Sequence, residues 1–317
     1  MEAHRPSYDP IFDEIEIGIG TWAWGDRLVW GYGNKYREED ITQAFNESIE
    51  NKVAFFDTAE VYGQGKSESF LGKLLPGTPY PVKIATKIMP FPWRMGKNAL
   101  RYALSGSLTR LRLEQVDLYQ MHWPLLPFPV EHWMEQMARV HHEGLIKAIG
   151  VSNYDLNQTI RSVTELKKHG IDLASNQLEY HLLERRIEKN GLMDYCLENG
   201  IKVIAYSPLA MGILSGKYTP ENPPKGARAS QYTPSFLTRI QPLIKLLKRF
   251  GQDHEGKTAS QVALNWVICK GALPIPGAKN AKQASENVGA TGWMLTNQEV
   301  EQLDEISESV SQLSPAK

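Results

Sequence analysis

Two cysteines in 317 residues, Cys196 and Cys269, are too few for a disulfide framework or a cysteine-bound metal cluster. Both fall in helix-like segments and read as ordinary buried thiols of a reducing compartment. Charge of one sign is also missing. The 35 Lys and Arg nearly cancel the 36 Asp and Glu, leaving a formal net charge of −1. That balance offers no basic surplus for nucleic-acid phosphates. No apolar run approaches the roughly 18–20 residues of a membrane span, and "MEAHRPSYDPIFDEIEIGIG" lacks the charged-then-apolar order of a signal peptide. The expectation is a cytoplasmic protein, or an organellar one whose transit peptide has been removed.

What is present is a globular composition, 42% hydrophobic and 22% charged. Eight short runs have strand character: "EIGIGTW" (16–22), "VAFFDTA" (53–59), "VKIATK" (82–87), "VDLYQMH" (116–122), "KAIGVSN" (147–153), "LASNQLEY" (173–180), "KVIAYSP" (202–208) and "ALPIPGA" (272–278). Most are near-continuous rather than alternating, as in parallel strands buried on both faces. Helical patterns separate them, for example "DLNQTIRSVTELKKHG", with Asp155 as N-cap and Gly170 as terminator, and "TASQVALNWVICKG", framed by Thr258 and Gly271. Eight β–α units without a composition break predict an α/β fold, a single (β/α)8 barrel over residues 1–317. One gap, of about 70 residues between the seventh and eighth strand starts, holds a long Gly-, Pro- and Ser-rich loop at 207–234. It follows a strand, so it belongs to the C-terminal face, where such barrels keep their active sites.

Several apparent motifs fail on their context. "GIGTWA" fits a dinucleotide fingerprint formally, yet an aromatic, Gly-rich stretch follows it instead of a helix. "GQGKS" has Glu60 where a P-loop needs its first glycine, and "SGKY" carries Tyr218 in place of Ser or Thr. The pair His141–His142 lacks the i, i+4 spacing of metal ligands on a helix, and no metal site is expected.

The informative pattern emerges when successive strand ends are compared. Strand two ends at Asp57, in "FFDTAEVYG", with Tyr62 in the loop behind it; strand three ends at Lys87 and strand four at His122. Each alone is weak evidence, but in a barrel these ends converge on one rim. A phenol with a pKa near 10 is a poor acid at neutral pH. An adjacent ammonium favours the phenolate and lowers that pKa, and a carboxylate keeps the ammonium charged. An imidazole orients a carbonyl oxygen. The set suits delivery of a proton to an oxygen that becomes an alkoxide, as carbonyl reduction requires.

On these motifs the sequence resembles the aldo-keto reductase family over roughly residues 15–310. "FFDTAEVYG", "IATK" and "YQMHWP" match the family's catalytic tetrad, which falls here on Asp57, Tyr62, Lys87 and His122. The resemblance implies an extended nicotinamide dinucleotide, NADPH/NADP+, bound without a Rossmann domain. Ser152, Asn153 and Gln177 stand at the carboxamide positions, and Tyr206 at the position that stacks on the nicotinamide. Ser207, Leu209 and Gly212 follow along the pyrophosphate, Gly277, Lys279, Gln283, Glu286 and Asn287 at the adenosine end, and Thr21 and Trp22 complete the cofactor set. A small carbonyl substrate is implied, against an aromatic pocket formed by Trp24, Phe91 and Trp123 with Trp93 nearby. The family's common state is the monomer.

Many members carry an Arg for the 2′-phosphate where Gln283 stands and a Lys where Gly277 stands. This chain has "PGAKN" instead, like the branch that includes potassium-channel β subunits and plant and microbial reductases. Lys279 is then the cation for the phosphate, and NADPH is expected over NADH. The same branch keeps a second class of function open, a regulatory protein that senses NADPH occupancy. Fast turnover of aldehydes distinguishes the enzyme from that sensor.

Overall fold

Strands form where the apolar runs lie, in a computed structural model that describes residues 8–225 and 229–312. They are β1 (Ile19–Gly20), β2 (Phe55–Asp57), β3 (Lys83–Ile88), β4 (Val116–Met121), β5 (Ile146–Ser152), β6 (Leu173–Glu179), β7 (Lys202–Tyr206) and β8 (Leu273–Pro274). Each pairs in parallel with the next in chain order. The backbone N–H groups of Gly18 and Gly20 donate to the carbonyls of Pro274 and Pro276 at 3.0 and 3.1 Å, which brings the last strand against the first. The terminal strands are shorter than their apolar runs suggest. Pro274 and Pro276 have no N–H to give, so the closing ladder is interrupted at every second residue.

Helices α1 (Glu38–Glu50), α2 (Lys66–Leu74), α3 (Ala99–Leu111), α4 (Val130–His142), α5 (Leu156–Lys167), α6 (Arg186–Lys189), α7 (Leu192–Glu198), α8 (Pro234–Asp253), α9 (Ala259–Cys269), α10 (Ala281–Val288) and α11 (Asn297–Gln312) connect the strands and follow the last. Their ends obey local chemistry. Asp155 accepts from the Gln158 N–H while the Gln158 side chain returns to the Asp155 N–H, a reciprocal cap that starts α5. Thr258 and Gln261 do the same for α9. Gly170 takes φ of +71°, which lets the chain turn back after α5 so that Ile171 N–H reaches the Leu166 carbonyl.

Two cores result. Inside the sheet, Phe55, Ala85, Leu118, Ala148, Ile204 and Leu273 pack together, and a 3-10 turn at Pro10–Phe12 adds Ile11 and Phe12, the latter against Phe55. Between sheet and helices lies a larger core, to which α4 gives Trp133, Met134 and Met137. Burying each such side chain contributes roughly 1.5–3 kcal/mol. The long loop after β7 begins with a 3-10 segment at Ala210–Ser215 and ends at Thr233, the N-cap of α8; its residues 226–228 lie outside the described residues. Among the described residues no helix is long and apolar enough to cross a membrane.

Candidate active site

Register places the reactive groups. Lys87 on β3 lies opposite Gln120 on β4, and Asp57 closes β2 beside Ala85 of β3. The side chains of Asp57 and Lys87 are essentially inaccessible, and Lys87 Nζ sits 2.5 Å from Asp57 Oδ1. The other two ammonium donors go to the Thr58 carbonyl at 2.8 Å and the Tyr62 hydroxyl at 3.3 Å. All three protons of Lys87 are thereby used. The distal oxygen of Asp57 accepts from Gln177 at 2.8 Å and Gln120 at 3.1 Å. The charge at the end of a buried strand is thus fully partnered, which makes its burial tolerable.

Tyr62 is held by the loop that carries it. Glu60 accepts from the Met89 N–H at 2.7 Å and from both terminal nitrogens of Arg94 at 2.7 and 3.0 Å. The Glu60 N–H donates to the Lys87 carbonyl, so the loop after β2 is fastened to the end of β3. His122 meets the Tyr62 ring edge to face, with centroids 5.6 Å apart. Its Nδ1 is buried without a protein partner.

The electrostatics follow from burial first. Burial pushes the Lys87 ammonium toward neutrality, but Asp57 and Tyr62 outweigh it and the pKa lies above the ordinary value. For Tyr62 the balance runs opposite to the sequence expectation. Burial raises its pKa, Asp57 adds to the rise, and Lys87 opposes them without prevailing. The phenol therefore stays protonated, the form a proton donor needs. His122 is lowered to about 3 by burial and by the Lys87 charge, so its imidazole is neutral at physiological pH.

These groups line one end of a cavity of about 770 Å³. Asp57, Tyr62 and His122 face it, as do Trp22 and Trp123 and every expected cofactor position except Thr21: Ser152, Asn153, Gln177, Tyr206, Ser207, Leu209, Gly212, Gly277, Lys279, Gln283, Glu286 and Asn287. Asn153 takes φ of +62°, an uncommon conformation for a residue with a side chain. Its Oδ1 accepts from the Tyr206 hydroxyl at 3.0 Å and its Nδ2 donates to the His122 carbonyl at 3.2 Å. The wall after β7 is set by consecutive left-handed residues, Ala210, Met211 and Gly212, and Gly212 alone does so without a Cβ penalty.

Three expected positions lie outside the cavity lining. Thr21 does not reach the cavity. Its hydroxyl donates to the Asp57 carbonyl at 2.9 Å and meets Ser67 Oγ at 2.7 Å, so it fixes the backbone of β2. Trp24 is fully buried against Phe56, and its indole N–H donates to the Ala278 carbonyl at 2.8 Å. It braces the segment before α10 and forms no pocket wall. Phe91 stacks on Trp93 with centroids 4.6 Å apart and lies under the Arg94 guanidinium, outside the cavity lining. Conversely, Trp30, Met89, Lys217 and Tyr218 line the cavity without having been singled out. The "SGKY" stretch that fails as a P-loop is part of this wall.

A phenol, an ammonium and a carboxylate in contact, with a neutral imidazole against the phenol, thus stand together at the wall of the cavity. The sequence pattern of the Aldo/keto reductase family matches residues 16–308, and the chain belongs to that family. It is 38% identical over 301 residues to the chloroplastic pyridoxal reductase of Arabidopsis thaliana, covering 91% of this chain and 82% of that protein. The structure of a glycerol dehydrogenase from Gluconobacter oxydans superposes with a TM-score of 0.83 at 26% identity, over 100% of this chain and 98% of that one. An aldo/keto reductase from Klebsiella pneumoniae, solved in complex with NADP and acetate, superposes with a TM-score of 0.70 at 28% identity, over 92% and 91%.

Proposed function

We propose that this protein is an NADPH-dependent reductase of aldehydes or activated ketones, with Tyr62 as the proton donor. The observation that carries this reading is the contact chain Asp57–Lys87–Tyr62 at the cavity wall, with His122 against the phenol. The donor set also suits a nicotinamide dinucleotide. Amide and hydroxyl groups of Ser152, Asn153 and Gln177 match a carboxamide, and the Tyr206 ring offers a stacking face. At the far end the N-terminus of α10, with Lys279 beside it, suits a phosphate. Bound in this groove, the reduced nicotinamide supplies the hydride.

The chain's own residues do the rest. Neutral His122 donates a hydrogen bond to the substrate carbonyl oxygen and orients it toward Tyr62. As charge builds on that oxygen, the Tyr62 hydroxyl transfers its proton. The Lys87 ammonium, already in contact with the phenol, stabilises the phenolate left behind. Asp57 keeps Lys87 charged and aimed. Trp22, whose ring centroid lies 6.4 Å from that of Tyr62, and Trp123 supply aromatic surface for the substrate at the cavity wall.

The test is steady-state oxidation of NADPH against a panel of pyridoxal, methylglyoxal, glyceraldehyde and benzaldehyde. Turnover with at least one aldehyde, faster with NADPH than NADH, is the expected result. Tight retention of NADPH with no turnover across the panel overturns the reading in favour of a cofactor-sensing protein.

A further inference from the structure

Asp57, Gln120 and Gln177 come from β2, β4 and β6, the alternation of strands that fills one layer inside such a barrel. Barrel layers are usually filled with Val, Ile or Leu. Here the layer bordering the cavity is polar, and its members answer one another. Gln120 Nε2 donates to Asp57 Oδ2 at 3.1 Å, Gln177 Nε2 donates to the same oxygen at 2.8 Å, and Gln177 Nε2 also approaches Gln120 Oε1 at 3.4 Å. Gln120 is completely buried and is not a cavity wall, whereas Gln177 is.

A second observation singles out Gln120. Its register partner on β5 is Gly150. A Cβ at that position would lie 2.9 Å from Gln120 Cγ and 2.4 Å from Ser175 Oγ. The strand therefore leaves out a side chain where the Gln120 stem crosses the barrel interior. Space is kept for a glutamine that touches no cavity.

The consequence is geometric. Asp57 alone can take one N–H of Gln177 and leaves the amide free to swing about it. Gln120 takes the other N–H, so two points fix the plane and Gln177 Oε1 is the atom left for a ligand amide. We propose that Gln120 is a positioning residue that fixes both the Gln177 amide and the distal oxygen of Asp57, and so couples recognition of the nicotinamide carboxamide to the proton-donating relay. The proposal rests on the reading of the cavity as a nicotinamide site.

The test uses the full chain with Gln120→Met, which keeps length and removes the amide. Affinity for NADP+ should fall about 3- to 10-fold, one neutral hydrogen bond's worth. Affinity for the 3-acetylpyridine analogue, whose methyl replaces the carboxamide NH2, should hardly change. The second readout is the alkaline limb of kcat/KM for aldehyde reduction. Among the described residues the titratable groups facing Tyr62 are Lys87 from β3, Asp57 from β2, His122 from the end of β4 and Tyr206 from β7. Losing the Gln120 N–H leaves the Asp57 charge less compensated, so the limb should move to higher pH. A lower melting temperature with an unchanged affinity ratio and an unchanged limb overturns the proposal and makes Gln120 structural only.

Should Gln120→Met not fold, Gln120→Glu keeps the shape. Its protonated acid can donate to Asp57 and accept from Gln177, so NADP+ affinity should match wild type at low pH and fall as the new carboxyl ionises. An affinity ratio between this variant and wild type that is flat with pH overturns the proposal. A wild type that binds no nicotinamide dinucleotide removes the reading of the cavity itself, and is distinguishable because it needs no variant.

Discussion

The ammonium of Lys87 donates to the hydroxyl of Tyr62 at 3.3 Å, although the phenol's pKa is raised rather than lowered. Contact with a cation and retention of the proton coexist because burial outweighs the charge. On the proposed mechanism the phenol is a poor acid at rest, and the Lys87 charge stabilises the phenolate that proton donation would leave. Removing the hydroxyl should then stop chemistry and little else. Tyr62→Phe is expected to bind NADPH as wild type does and to lower kcat by roughly 10²–10⁴. Single-turnover rates check it, and a variant with more than about a third of the wild-type chemical rate would show that another group donates the proton.

Asp57 and Lys87 form an ion pair with no solvent to share the charge. Asp57→Asn removes the counter-charge and leaves an ammonium among neutral groups. Breaking a buried pair from one side costs about 3–5 kcal/mol, so the variant should unfold at markedly lower urea. Turnover should fall as well, because Lys87 would be driven toward its neutral form. Unchanged midpoint and unchanged kinetics would mean that the pair contributes neither to stability nor to the reaction.

The lowered His122 pKa makes a claim about acid stability with a definite sign. The folded imidazole stays neutral down to about 3, whereas the unfolded one takes a proton at its ordinary value of 6.5. Between these values the unfolded chain binds more protons, so stability falls as pH drops through that window. One such group contributes a slope of at most about 1.4 kcal/mol per pH unit. His122→Gln should flatten the dependence of the urea midpoint between these limits. Rates should show no acid limb from His122 near neutrality. An acid limb of kcat/KM near pH 6.5 that disappears in His122→Gln would mean that the imidazole ionises in the folded protein.

That Asp57, Tyr62, Lys87 and His122 would meet was legible because strand ends of a barrel converge, so four residues scattered over "FFDTAEVYG", "IATK" and "YQMHWP" could be gathered without a structure. Trp22 and Trp24 show where that logic stops. Two residues apart in a strand, they would share a face; here the Trp24 N–H turns back to the Thr21 carbonyl, and the two indoles part ways. Gln120 gave no signal at all, being neutral, one strand position before a Met, and recognisable only by what it touches. The lowering of the Tyr62 pKa by Lys87 was legible, but the net rise was not, because a nearby Lys is visible in sequence and desolvation is not.

Lys279 is the position where structure sharpens the expectation most. Its ammonium rests over the rings of Trp30 and Tyr36, 5.0 and 5.6 Å from their centroids, while it also lines the cavity. Gln283 accepts from the Lys279 N–H at 3.0 Å and so fixes the backbone ahead of α10. A 2′-phosphate would draw the side chain from its aromatic seat, which offsets part of the gain. A charge-assisted hydrogen bond worth roughly 1.5–3 kcal/mol, less about 0.5–1 kcal/mol for the cation–π contact, leaves about 0.5–2.5 kcal/mol. Lys279→Ala should therefore weaken NADPH binding about 2- to 70-fold at low salt and leave NADH nearly unchanged. The difference should shrink as ionic strength rises, since the groove opens to solvent there. Backbone N–H groups at the start of α10 survive the substitution and cap the loss. Tryptophan quenching measures both dissociation constants, and Trp30 under the ammonium should report the lysine's departure directly. Equal weakening of the two cofactors would make Lys279 a brace for the loop after β1, and a wild type that prefers NADH would leave the phosphate without its cation.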